Sequence, residues 1–263
     1  MTIARDQHTN NIVLGAGEFY VDLLDASDNT GGERYVGDTV GGSLQVQTET
    51  TTVYSGDGPS SSLLSEVVTQ VTRTITITMH DIQAANLALF VIGDVAEQTD
   101  AASAVTDETF NVRPGYWYPL GVSKTKPGGV IGVSADAFVV KQKNKTITAD
   151  DTNYVVDAAH GRLYIPAGGM ITAGEIKVTY TPVAQTVPVV KASDKQLRAA
   201  IRYVEDAADG KGNNYYAPRC NVSAAGTMEL KSRDTEEQLQ INCQVTEPKQ
   251  DGFPALYING QAA

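Results

Sequence analysis

Residues 67–93, VVTQVTRTITITMHDIQAANLALFVIG, constrain what this chain can fold into more than any other segment. Over 67–79, apolar and uncharged polar side chains alternate, which predicts a strand with one face toward a core and the other toward water. The apolar file is Val67, Val71, Ile75, Ile77 and Met79, and the polar file is Gln70, Thr72, Thr74, Thr76 and Thr78. Asp81 can cap a helix predicted over 82–92, and Gly93 can end that helix in the left-handed conformation. The segment is therefore predicted to be a strand that supplies its own covering helix.

Two further strands with the same kind of outer face are predicted over 43–54 and 238–245. In the second strand, the apolar file alternates with a neutral polar file made of Gln238, Gln240, Asn242 and Gln244. The many glycines and the single tryptophan also suit a protein built from strands and turns. The pattern of 192–206 is mixed and fits either a helix or a strand.

The character of the sequence changes over 126–182, where short alternating segments are separated by turn signals at 157–161 and 166–169. We expect these residues to form an inserted β-hairpin module, with 1–125 and 183–263 forming the core of the protein. Length alone does not separate one domain with an insertion from two domains. The predicted fold class is mainly β, a β-sandwich or partial barrel with one flanking α-helix and the inserted module.

The segment between the strands 43–54 and 67–79 is too long for a tight hairpin turn. The residues of this predicted loop that we single out are Ser55, Gly56, Asp57, Gly58, Pro59, Leu63, Leu64 and Glu66. If the two leucines are exposed, they indicate a surface for a partner. The alternative, that they fold back onto their own domain, fits the sequence equally well.

Composition and motifs favour a structural role over catalysis. The net charge of −11 argues against a surface that grips nucleic acid, since such surfaces concentrate Lys and Arg. No metal-ligand spacing, phosphate-binding loop or nucleophile elbow is present, so we expect no enzyme activity, no metal and no cofactor. No apolar run is long enough to cross a bilayer, so we expect no membrane partner. Cys220 and Cys243 are expected to be small buried apolar residues rather than a disulfide, because the chain is expected to fold in a reducing cytoplasm.

Three aromatic residues stand together at Tyr116, Trp117 and Tyr118, between two prolines. Such a cluster either forms a platform for a ligand or anchors a loop to the core. The prolines on both sides favour the anchoring role.

The segments 41–59 and 67–93, with TEEQLQINCQV near the C-terminus, resemble the major tail tube protein of long-tailed, siphovirus-like bacteriophages. The resemblance covers about two thirds of the chain and leaves out 130–182. It implies a tail-tube type of fold and a virion structural protein. Such subunits assemble into hexameric rings that stack into a hollow tube, and phage DNA passes through the tube without specific binding. It further implies assembly in the host bacterial cytoplasm, location in the virion tail, and contacts with the tape measure, terminator and distal tail proteins.

The resemblance also assigns roles to residues. It places in the lumen Gln70, Thr72, Thr74, Thr76, Thr78, Gln238, Gln240, Asn242 and Gln244. The predicted loop 55–66 would then reach a neighbouring subunit or ring. One rival is a carbohydrate-binding or adhesive β-sandwich that uses the aromatic cluster 116–118. A second rival is an enzyme whose site is not visible as a motif.

Overall fold

The computed structural model describes residues 15–206, 212–249 and 252–260. Over these residues the fold is mainly β, with one short helix and several sheets that are not closed into a barrel, which confirms the predicted class. The strands are β1 (Gly17–Leu23), β2 (Arg34–Tyr35), β3 (Thr39–Tyr54), β4 (Leu63–Met79), β5 (Gly93–Asp100), β6 (Val105–Val112), β7 (Tyr116–Pro119), β8 (Val133–Gln142), β9 (Lys145–Ile147), β10 (Val155–Asp157), β11 (Arg162–Ile165), β12 (Gly174–Pro182), β13 (Gln185–Ala192), β14 (Leu197–Glu205), β15 (Asn213–Ala225), β16 (Leu239–Val245) and β17 (Tyr257–Gly260), and the helix is α1 (Ala84–Val91).

The chain divides into two compact units. The first comprises the described parts of Met1–Val95 and Val190–Ala263, and the second is Ala96–Val189. The boundaries differ from those of the predicted insertion at 126–182, because β6 pairs with β12 and β7 pairs with β11. Residues 96–125 therefore belong with the strands that follow them and not with the core.

The first unit is built on one large antiparallel sheet with the strand order β2-β1-β14-β15-β16-β4-β3, and β17 pairs with β15. Residues 197–205, which the sequence left open between helix and strand, form β14 in the middle of this sheet. The predicted strands 43–54, 67–79 and 238–245 correspond to β3, β4 and β16. Both β3 and β4 begin four residues earlier than predicted, at Thr39 and Leu63.

One face of the large sheet carries the core of this unit. The buried core side chains include Phe19, Val21, Ile75, Ile77, Met79, Leu89, Ala199, Ile201, Val222, Leu239, Ile241 and Cys243. Gly42 of β3 lies opposite Ile77, and a Cβ there would fall 2.2 Å from Cζ of Phe19. The Phe19 ring therefore packs directly against the backbone of β3, which only glycine permits.

The two cysteines lie in this core. Cys220 and Cys243 are free and buried on neighbouring strands. Burial raises the pKa of the Cys243 thiol to about 12 and also raises that of Cys220. Both side chains act as small apolar core residues.

The helix α1 covers the apolar face of the sheet by packing against β15 and β16. It is shorter than the predicted helix 82–92, and its N-cap is Gln83 rather than Asp81, with no side-chain cap. The buried Asn86 instead ties the start of the helix to the sheet, since its Nδ2 donates to the carbonyls of Val36 and Asp81, both at 2.7 Å.

The helix ends differently from the prediction as well. Ile92, with φ 54°, takes the left-handed position that was assigned to Gly93. Gly93 is the first residue of β5, where a Cβ would lie 2.3 Å from the carbonyl oxygen of Lys191. Glycine is needed at 93 for close strand packing and not for helix termination.

The second unit contains a three-stranded sheet, β10-β11-β7, and a four-stranded sheet, β6-β12-β8-β9. Their shared core includes Val112, Leu120, Val140, Leu163, Ile165, Ile176, Val178 and Tyr180. The hydroxyl of Tyr180 donates to Glu108 Oε2 at 2.7 Å, which joins β12 to β6 and satisfies a buried polar group. Burial, together with the Glu108 carboxylate, raises the pKa of Tyr180.

Burial along β4 changes sharply within one strand. Residues 63–71 are exposed, whereas Ile75, Ile77 and Met79 are buried. The Ile77→Ala variant should lower the free energy of unfolding by about 2–5 kcal/mol, since it opens a cavity in the core. The exposed Val67→Ala variant should change it by about 0.5 kcal/mol or less. Urea denaturation of both variants measures the difference, and equal losses would contradict the division of β4 into a core half and a solvated half.

Candidate assembly surface and polar sheet face

The side of the large sheet opposite the core carries a continuous set of uncharged polar side chains. The strand register aligns Gln45, Thr74, Gln244 and Asn221 across four strands, and in the next row Ser43, Thr76, Asn242 and Ser223. Aligned residues share one face of a sheet, so these rows form one surface. We call this surface, with Gln47, Thr72, Thr78 and Gln240, the polar face.

Hydrogen bonds link neighbouring strands across the polar face. The hydroxyl of Thr76 donates to Asn242 Oδ1 at 2.7 Å, and Gln240 Nε2 donates to Thr78 Oγ1 at 3.3 Å. At these two places a threonine hydroxyl and an amide side chain of the neighbouring strand satisfy each other. The result is a face that is partly open to solvent and carries no charge in these rows.

The structure brings most of the predicted lumen residues together on this face. Thr72, Thr74, Thr76 and Thr78 lie in one file of β4, and Gln240, Asn242 and Gln244 lie beside them on β16. Gln238 precedes β16 and is exposed. Gln70 is in the same file, opposite Glu49, and its Nε2 donates to Thr72 Oγ1 at 3.2 Å. Whether this face lines a lumen remains a prediction.

One end of the polar face carries a charged cluster that the sequence did not indicate. Arg198 is aligned with Asn221, and Arg219 is aligned with Thr246 just beyond β16. Asp28, whose side chain is only 6% exposed, forms ion pairs with Arg198, Arg219 and Lys249. Asp28 lies in a segment whose sequence is typical of a polar turn. Its partners are distant in sequence, so no local pattern predicts the cluster.

The strands β3 and β4 continue beyond the sheet as a two-stranded ribbon, which we define as residues 48–54 and 63–71 with the tip 55–62. The residues of this ribbon have no partner strand other than each other in the described parts of the chain. Both faces are exposed, and the side chains open to solvent include Val53, Tyr54, Leu63, Leu64, Val67, Val68 and Val71. The ribbon is therefore an apolar surface without a core behind it.

The predicted loop 55–66 is shorter in the structure. Ser55, Gly56, Asp57, Gly58 and Pro59 lie in the tip, but Leu63, Leu64 and Glu66 belong to β4 because they continue its pairing with β3. Leu63 and Leu64 are 53% and 65% exposed, so they do not fold back onto the parent unit. The register also shifts between Glu49 and Thr50, which places Val68 rather than Val67 in the file of Val71.

The aromatic cluster is divided between the two sides of β7. Tyr118 packs against the core of the second unit, and its hydroxyl bonds the backbone of Arg113, which matches the anchoring role. Trp117 points to the opposite side, where it is 45% exposed and lies 5.0 Å from Tyr164, ring centroid to centroid. The sequence did not indicate Tyr164, because it lies on β11, far along the chain.

A concave site is also present where the two ends of the large sheet approach each other. A cavity of about 440 Å³ lies between β1 and β3 and is lined by Phe19, Gly42, Ile75, Tyr203 and Leu256, among others. It presents mostly apolar and small residues and no paired catalytic groups. Within the described residues, no group of three or more His, Cys, Asp or Glu side chains could hold a metal ion. No helix of the described chain is long and apolar enough to span a membrane.

A comparison with known protein families finds a match. The model of a family described as "Protein of unknown function UCP028589" matches residues 12–251. The chain belongs to this family. No curated protein matches the sequence. The family match extends over residues of both units.

The charged cluster at the end of the polar face can be tested through its pH dependence. The ammonium of Lys249, 2.7 Å from Asp28 Oδ2, and the two guanidinium groups hold the pKa of Asp28 below its ordinary range. A carboxylate with a lowered pKa in the folded state stabilises the protein above its unfolded pKa, and this contribution disappears as the pH falls. The Asp28→Asn variant should therefore unfold at lower urea than the wild type at pH 7, with a smaller difference at about pH 3.

The control for this measurement is Asp57→Asn in the exposed tip of the ribbon, which should leave the urea midpoint unchanged at both pH values. A difference for Asp28→Asn that is the same at both pH values would show that the loss is not electrostatic.

Proposed function

We propose that the chain is a structural subunit that self-assembles into stacked hexameric rings and forms the hollow tail tube of a long-tailed bacteriophage. The assembled tube is located in the virion tail, and its other contacts are the tape measure, terminator and distal tail proteins. The proposal rests on the resemblance of the β3, β4 and β16 segments to tail tube proteins and on the two surfaces described above.

The exposed ribbon is the main support for this proposal. An isolated two-stranded hairpin is only marginally stable in water, and this one exposes valine, leucine and tyrosine side chains on both faces. Among the residues that the structure describes, the outer edge of β3 is also unpaired, because β3 ends the strand order of the large sheet. Unpaired edges and exposed apolar strands promote association. In a closed ring each subunit covers the ribbon of its neighbour, and no edge stays free.

The polar face supplies the second part of the proposal, the wall of the tube. Its central rows consist of uncharged Gln, Thr, Asn and Ser side chains, and Thr76 donates a hydrogen bond to Asn242 within them. A basic wall would bind DNA phosphates and retain the genome through counterion release. A neutral wall on a chain of net charge −11 offers DNA no such attachment. Repulsion from the acidic chain acts only within about 8 Å at physiological salt.

Assembly can be tested by placing charge on the ribbon. The double variant Leu63→Asp, Leu64→Asp should stay monomeric at concentrations where the wild-type protein forms rings or tubes, because buried carboxylates would oppose the contact. Negative-stain electron microscopy and sedimentation velocity measure this outcome. Both leucines are exposed in the monomer, so circular dichroism and the urea midpoint should remain those of the wild type.

The matched control is Val122→Asp, at a position that is 50% exposed in the second unit. It adds a carboxylate at an exposed apolar residue that does not belong to the ribbon and should leave assembly unchanged. If the wild-type chain stays monomeric at high concentration, the proposed function is wrong. If the ribbon variant still forms tubes, assembly uses another surface.

The lumen assignment has a separate test. The triple variant Thr72→Lys, Thr74→Lys, Thr76→Lys should fold and form tubes, since these side chains are partly solvated and point away from the core. Assembled tails that carry it should eject DNA more slowly, and the delay should shrink as salt is raised. The control Thr72→Ser, Thr74→Ser, Thr76→Ser keeps the face neutral. Ejection at the wild-type rate from fully assembled lysine tails would contradict the assignment.

A further inference from the structure

The second unit presents a small surface that the assembly proposal does not use. It is the outer side of the sheet β10-β11-β7, whose inner side is buried through Leu163 and Ile165. In the strand register Trp117 is opposite Tyr164, and Arg162 is opposite both Pro119 and Asp157. These side chains therefore share one face, which we call the aromatic face.

The rings of the aromatic face form a shallow apolar surface. Trp117 and Tyr164 lie with their centroids 5.0 Å apart and their planes at 36°. Trp117 is 45% exposed although it is the only tryptophan of the chain, and tryptophan is normally largely buried. A half-exposed indole on a rigid strand is an ordered contact surface, so a ligand that binds it loses little side-chain entropy.

A connected set of polar groups borders the two rings. Arg162 Nη2 donates to Asp157 Oδ2 at 2.5 Å, and His160 Nδ1 lies 2.9 Å from Asp157 Oδ1. The guanidinium carbon of Arg162 is 5.0 Å from the Trp117 ring centroid. The hydrogen bonds from Arg162 and His160 hold the pKa of Asp157 at about 2, so the carboxylate stays charged and fixed at neutral pH. Planar donors and an acceptor thus stand next to an aromatic ring in a fixed arrangement.

We propose that the aromatic face binds a neutral oligosaccharide, with a sugar ring on Trp117 and Tyr164 and its hydroxyls bonded by Arg162, Asp157 and His160. The apolar C–H side of a pyranose ring matches an aromatic face, and its equatorial hydroxyls match planar donors and carboxylates. Because Arg162 and Asp157 neutralise each other, the surface does not select an anionic polymer.

The size of the face favours a sugar over a protein partner. Three strands at their usual spacing, each three or four residues long, span roughly 15 Å by 15 Å. That is about a quarter of the roughly 800 Å² that each partner contributes to a stable protein–protein interface. It is sufficient for two or three sugar units. This binding is independent of ring assembly, since the ribbon and the polar face belong to the other unit.

The single tryptophan allows sugar binding to be measured by fluorescence. We expect the emission of the full-length protein to change saturably on titration with at least one of maltohexaose, cellohexaose and chitohexaose, since the only indole is in the site. In calorimetry with that sugar, Trp117→Ala should weaken binding about tenfold or more. Trp117→Phe, which keeps an aromatic ring and the fold, should lose less. Arg162→Gln should also weaken binding. The emission spectrum of this variant without sugar should remain that of a folded protein.

The matched control is Tyr116→Ala, because Tyr116 is 60% exposed on the same strand but projects to the opposite side of the sheet from Trp117. It should bind the sugar as the wild type does. No emission change with any of the three sugars up to about 10 mM would overturn the proposal. An equal loss in Tyr116→Ala would also overturn it, as would an emission change that follows protein concentration instead of sugar, which would indicate a contact between copies.

Discussion

The first unit depends on the register of four antiparallel strands, β3, β4, β16 and β15. One row of this register, Leu44, Ile75, Cys243 and Val222, points toward the core, and the adjacent row, Gln45, Thr74, Gln244 and Asn221, points away from it. A slip of one residue in any strand would exchange the two rows and bury amides in the core. The core and the polar face are therefore fixed by the same constraint. Hydrogen bonds such as Thr76 to Asn242 add to this register, because they form only when the strands are correctly aligned.

The register continues into the ribbon, but burial does not. From Thr72 toward Leu63, the strand β4 is still paired with β3 but no longer with β16, and no other element of the described chain packs on either side. The side chains of the ribbon do not pack in the core of their own unit, which explains why its apolar residues are exposed. Substitutions in such a segment have little effect on the stability of the fold, but they change the surface that a partner would cover. This separation of stability from association is the physical basis for expecting ribbon variants to alter assembly alone.

Local periodicity predicted the strands well where burial is one-sided. The files of β4 from Ile75 to Met79 and of β16 from Leu239 to Val245 alternate as expected because the core covers one face only. The same reasoning failed at Val67, where a bulge shifts the register, and a bulge leaves no mark in the alternation of a strand exposed on both faces. It failed at Gly93 because close packing against Lys191, not the end of the helix, requires glycine there. The Asp28 cluster and the Trp117–Tyr164 pair depend on strand pairing between distant segments, which no local pattern reveals.

The charge distribution links the polar face to its proposed role. Arg198, Arg219 and Lys249 converge at one end of this face, where they could bind phosphate, yet all three are engaged by the buried carboxylate of Asp28. A carboxylate within ion-pair distance holds a guanidinium in place and reduces its attraction for a second anion. Asp25 also interacts with Arg198, so two carboxylates face the three basic side chains and oppose their attraction for DNA phosphates. In the proposed tube, Asp28 would have two roles. Its ion pairs connect the strand β14 to the segment after β16, and they weaken the attraction of the wall for passing DNA.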